Sequence, residues 1–221
     1  IYSPLISICI FFLVASFHFG YEDLEMFFSQ KFILETPLYF LRGLIIISAP
    51  LYLNNVETIN FIDILLLGEK WINLESATYA YIFYFNLVSI FSLTLLFWIR
   101  KNINLKDFFI ISFEVFSIVV IFKYLPLILA FTIYFCFMHS TKHILSLAVE
   151  LNGSNVYAGI KLFAKKAAPL TIITFAMSLI MLFYLSKEFS VDKSILKIIF
   201  IGLAALTLPH IILEYIYGKY K

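Results

Sequence analysis

Four histidines are the residues of this chain most suited to chemistry: His18, His139, His143 and His210. A neutral imidazole holds a transition metal or moves a proton near neutral pH. All four fall in or beside apolar runs, where an ionisable side chain is costly and is a functional candidate by default. His139 and His143 are four apart, so on a helix they share one face, roughly 6 Å apart along the axis. That spacing lets two rings converge on one metal, and it equally serves two packing histidines. His18 stands in the segment Phe-His-Phe-Gly-Tyr-Glu-Asp. Gly20 there admits a close backbone neighbour, and Glu22 or Asp23 can accept the second ring N–H of a ligating imidazole, which fixes its tautomer. The same acids with Glu25 also read as a wet helix end, and Glu25 suits that role best.

Further polar residues interrupt the apolar runs. Arg42 either snorkels to an interface or pairs with a carboxylate. Glu114 must be protonated, paired or turned toward a protein interior. Cys136 precedes His139 by three and could share its face, although buried cysteine is most often plain packing. Cys9 and Cys136 both lie in apolar runs, against a disulfide framework. The chain lacks the roughly eight clustered histidines typical of membrane di-iron desaturases, and it has no HExxH and no Walker A loop.

The elements that must position these residues follow from composition. Of 221 residues, 62% are hydrophobic and only 14% charged, with mean hydropathy +0.98. A soluble domain carries about a quarter charged residues, so a soluble enzyme, a nucleic-acid binder and a disordered chain are excluded. A net charge of +2 implies no anionic partner. The expected fold is all-α: a polytopic integral membrane helical bundle, a single membrane-embedded domain over residues 1–221. About seven spans are visible, Leu5–Gly20, Leu38–Leu53, Ala77–Ile99, Phe108–Phe122, Leu125–Val149, Ala168–Leu185 and Ser194–Tyr217, with Ile59–Leu67 interfacial. Lys31, Arg100, Lys101, Lys106, Lys161, Lys165, Lys166, Lys219 and Lys221 fall on one side, against Lys70, Lys123, Lys187 and Lys193 on the other. The richer side is cytoplasmic by the positive-inside rule. The first, fifth and seventh helices then run inward, and all four histidines reach similar depth in the cytoplasmic half. A metal site within a helix bundle needs such an arrangement.

The motifs His18-Phe19-Gly20-x-x-Asp23, Arg42-Gly43 before an apolar run ended by Pro50, and His139-Ser140-x-Lys142-His143 resemble the Brp/Blh family. Those are bacterial and archaeal membrane proteins that include β-carotene 15,15'-dioxygenases, and the resemblance covers the chain from about Leu13 to Tyr217. It implies an Fe(2+) centre held by histidines, with His18, His139 and His143 as ligands. Asp23, Glu22, His210, Glu114 and Arg42 become candidates for the surrounding shell. It implies cleavage of β-carotene by O2 at the central double bond to two retinal molecules, in the inner (plasma) membrane of a prokaryote, with a functional link to a retinal-binding rhodopsin. Lys142 stands where the family more often has Arg. The family also places a histidine in a Pro-His-Gly-x-x-Asp segment upstream of the first span. This chain begins at Ile1, without Met and within an apolar stretch, so at least one further helix is expected before it. Two rival readings stay open: a non-catalytic membrane factor for retinal-protein biogenesis, and a membrane haem protein with histidine axial ligands.

Overall fold

The computed structural model describes residues 3–28, 35–66, 70–72 and 74–218, with the backbone alone at 208 and 210–218. Among them every regular element is helical, as backbone polar groups in lipid require. Lys31, Lys219 and Lys221, which enter the charge asymmetry, lie outside the described residues. The chain divides into two compact units, Ile1–His139 and Ser140–Lys221.

The first unit contains α1 (Pro4–Leu24), a 3-10 turn (Glu25–Phe27), α2 (Glu35–Leu53), α3 (Asn55–Leu65), α4 (Ser76–Ile99), α5 (Leu105–Tyr124), α6 (Leu127–Ile133) and a π turn (Tyr134–His139). Pro4 opens α1, where a missing N–H costs nothing. α2 is the central helix, packing against α1, α4 and α5. Its buried positions Leu38, Tyr39, Arg42, Ile45, Ile46, Ala49 and Pro50 recur at helical spacing. Where α1 crosses it, Gly20 lies against the Tyr39 carbonyl and Gly43 against the Ser16 carbonyl, so a Cβ at either glycine would strike backbone. Gly20 thus does what its place in the sequence suggests. From α4, buried Asn86 hydrogen-bonds the Ser48 hydroxyl on α2 at 3.1 Å.

α3 occupies the stretch read as interfacial, and it clamps the start of α6. The Asn54 amide donates to the Leu125 carbonyl (3.2 Å), and the Glu57 carboxylate accepts the Leu127 N–H (3.1 Å). Such a carboxylate satisfies a first-turn donor that has no partner within its own helix. α4 ends with Lys101 N–H bonded to Trp98 O (2.9 Å) and Asn102 N–H to Phe97 O (3.0 Å). This is a Schellman cap, but Lys101 occupies its left-handed position, at φ 60°. α5 then opens on Asn104, whose side chain accepts the Asp107 N–H at 2.8 Å.

The second unit holds α7 (Ser140–Leu151), α8 (Val156–Leu185) and α9 (Val191–Gly218). Asn155 caps α8 by accepting the Ala158 N–H at 3.1 Å. Gly159 brings α8 onto the Ala148 carbonyl of α7. α8 starts well before Ala168. Thirty residues span about 45 Å against a hydrocarbon core of about 30 Å, so its first turns, with exposed Lys161, Lys165 and Lys166, extend beyond a bilayer.

Among the described residues, five helical stretches are long and apolar enough to cross a membrane: Pro4–Phe27, Glu35–Leu53, Ser76–Ile99, Leu127–Leu151 and Val156–Leu185. The chain is a helical membrane protein, without a strand among the described residues. The fourth expected span does form a helix, α5, but Lys106, Asp107, Glu114 and Lys123 make it too polar to count by composition. The seventh falls on α9, whose far end carries side chains outside the described residues.

Candidate functional site

Asp23 is the hub of the first unit. It lies in the last turn of α1, buried, one helical turn beyond Gly20, so the crossing with α2 carries it toward Arg42. Arg42 Nη2 lies 3.0 Å from Asp23 Oδ2 and 3.4 Å from Glu114 Oε2 on α5. The guanidinium is 0% exposed. Of the two fates open to Arg42 in the sequence, snorkelling and pairing, the structure has pairing. Glu114 is likewise paired. Arg42 Nε and Nη1 are buried and meet no hydrogen-bond partner among the described residues.

The π turn supplies the other side. Tyr134 Oη donates to Asp23 Oδ2 at 3.1 Å, and His139 Nδ1 lies 3.1 Å from Asp23 Oδ1. A carboxylate already paired with a guanidinium can only accept, so we assign the hydrogen to Nδ1, which leaves the His139 Nε2 lone pair open. A π turn fits one residue more than an α turn and is common at functional sites. Here it buries Tyr134 and His139 together and leaves Cys136 exposed, so Cys136 does not share the face of His139.

His18, on α1, is buried beside this ring: the two imidazole centroids are 6.0 Å apart at 74°. Phe19 packs edge-on to His139 at 4.8 Å, and Tyr134 stacks on it at 6.1 Å. Metal–nitrogen bonds near 2.1 Å place two rings on one metal with centroids roughly 5 Å apart. The pair is about 1 Å wider than that. Two imidazoles, one of them held by a carboxylate, thus lie side by side, wider apart than two ligands of one metal.

The remaining expected site residues are distributed over both units. No three His, Cys, Asp or Glu side chains form a metal-holding group among the described residues. His143 lies on α7, in the second unit, half-buried. His210 is on α9, and its side chain falls outside the described residues. Glu22 is half-buried, while Glu25 is exposed in the 3-10 turn, as a wet helix end would be. Tyr134 was not singled out by the sequence. Its five-residue distance from His139 gives no α-helical signal, because only a π turn brings the two to one acid.

Comparison with known proteins adds identity to geometry. A curated protein named beta-carotene 15,15'-dioxygenase, from uncultured marine bacterium 66A03, is 31% identical over 103 residues. That match covers 47% of this chain and 36% of the relative, so the aligned part spans about a third of the relative's length. No solved structure matches. The family described as beta-carotene 15,15'-dioxygenase matches residues 1–217, nearly the whole chain, in agreement with the motif resemblance, and the chain belongs to that family.

Proposed function

We propose that this protein cleaves β-carotene oxidatively at its central double bond, in an iron-dependent reaction with O2. The central C=C bond breaks and each carbon takes one oxygen atom, so one O2 and one β-carotene give two retinal molecules. The observation that carries the reading is the His18–His139 pair with Asp23 on the Nδ1 of His139, in a chain of this family. The metal set of the reading is His18, His139 and His143. His143 enters through its i, i+4 spacing and the motif resemblance, and a further ligand upstream of Ile1 through the resemblance alone. His210 is a neighbour of the site or a packing residue.

Iron, when bound, supplies the chemistry by which O2 attacks a conjugated double bond. The chain's own residues orient and enclose. Asp23 holds the His139 ring, and Phe19 and Tyr134 wall it with aromatic surface. An apolar polyene reaches such a site sideways from the bilayer, here the plasma membrane of a prokaryote, and the retinal released serves a retinal-binding rhodopsin.

The test is to express the whole protein in a β-carotene-producing bacterium and to measure pigment, retinal and bound iron. Bleached cells containing retinal are expected. Orange cells holding well-expressed, iron-loaded protein overturn the reading. Protein without iron points to the biogenesis factor instead.

A further inference from the structure

We propose that Arg42 is a positioning residue, which fixes the Asp23 carboxylate and through it the ring of His139. The inference rests on the reading of His139 as a ligand. A carboxylate turns freely about its last carbon–carbon bond unless both oxygens are engaged. Here Oδ2 carries Arg42 Nη2 (3.0 Å) and the Tyr134 hydroxyl (3.1 Å), and Oδ1 is thereby left facing His139 Nδ1 at 3.1 Å. Glu114, 3.4 Å from the same Nη2, holds the guanidinium from α5.

The residue type points the same way. Arg42 is wholly buried with Nε and Nη1 unpartnered among the described residues. A hydrophobic side chain of similar volume would fill that space without desolvating a cation, and replacing a buried ion pair in this way is often neutral or stabilising. An ionisable residue kept at such a place within a span argues for function. The guanidinium is planar, so the two N–H bonds of Nη2 have set directions toward a carboxylate on each of two helices, whereas a lysine ammonium rotates freely.

The experiment reads the ring directly. In metal-free protein labelled with 15N-histidine, at pH about 8 where imidazoles are ordinarily neutral, His139 should show one tautomer, hydrogen on Nδ1. Its signals are identified by their loss in His139→Ala. Arg42→Gln should give a mixture of tautomers and weaken ferrous iron binding by roughly 10–100-fold. Arg42→Lys should recover part of both, and Glu114→Gln, which weakens the hold on the guanidinium, should fall between Arg42→Gln and the native protein. A folded Arg42→Gln protein with a single native tautomer overturns the proposal. If that variant fails to insert, Arg42→Lys decides, because native tautomer and native affinity there also overturn it. Failure of the parent protein to bind iron would defeat the proposed function and leave the tautomer result standing.

Discussion

Two imidazoles, one aspartate, one tyrosine and one arginine meet in the first unit, and the histidines and the tyrosine each make a prediction. His18→Ala, His139→Ala and His143→Ala should each abolish retinal formation and bound iron, measured per membrane-inserted protein. His210→Ala should cost no more than roughly 10–100-fold, the range for a residue one shell removed from a metal. If His210→Ala empties the protein of iron while His18→Ala keeps it, the ligand assignment fails and His210 belongs in the shell. Tyr134→Phe keeps the stack on His139 but removes a hydrogen bond to a buried carboxylate. It should cost about 1.5 kcal/mol, seen as a lower thermal midpoint in detergent. The sequence made part of this legible. Asp23 is a sensible acceptor for an imidazole because it closes the His18 motif, yet its imidazole proves to be that of His139, 116 positions away. No local pattern records a pairing across that distance. Arg42 and Glu114 each announced themselves as polar residues in apolar runs, but not as each other's partners.

Helices are where hydropathy reads best, and their ends are where it misleads. The predicted apolar runs fall on helical structure, the fifth on α6, the π turn and α7 in succession, and five stretches among the described residues are long and apolar enough to cross a membrane. The apolar run opens at Ala168, well inside α8, because Lys161, Lys165 and Lys166 interrupt the hydropathy without ending the helix, which starts at the Asn155 cap. The π turn had no sequence signature at all. The crossing of α1 and α2 makes the firmest prediction at this scale. Gly20→Ala or Gly43→Ala puts a methyl against the Tyr39 or Ser16 carbonyl, so the helices must part. A loss of roughly 1–3 kcal/mol is expected from overpacking. Retinal output should fall with it, because Asp23 and Arg42 separate together. An alanine variant with native stability and activity would show that the crossing yields freely. The cap of α4 predicts the opposite sign. Lys101 sits at φ 60°, where a Cβ costs roughly 1 kcal/mol or more, so Lys101→Gly should raise the midpoint.

At the scale of the whole molecule, composition decided the class before any motif was needed. With 14% charged residues the chain has too few to cover a water-facing surface. With α5 crossing as well, the charge asymmetry predicts sidedness: the turn at Asn102 faces the cytoplasm and the turn at Ser190 faces outward. With Cys9 and Cys136 replaced, a membrane-impermeant maleimide should label Ser190→Cys in intact cells and Asn102→Cys only after lysis. The reverse pattern would invert the topology and place the histidines in the outer half. What composition could not show is how polar the interior is, with Arg42, Asp23, Asn86 and Thr94 all fully buried.

The order of Asp23 and its partners along the chain has a consequence in time. Arg42 follows Asp23 by 19 positions, and the α1–α2 hairpin is complete once Leu53 has left the ribosome. Tyr134 and His139 lie 111 and 116 positions beyond Asp23. At translation rates of about 5–20 residues per second, His139 arrives roughly 6–23 s after Asp23. Throughout that interval Arg42 is available to the carboxylate as a counter-charge, and the two can enter the bilayer as a neutral pair. The acid that later aims the imidazole is thus already in place when the histidine is made.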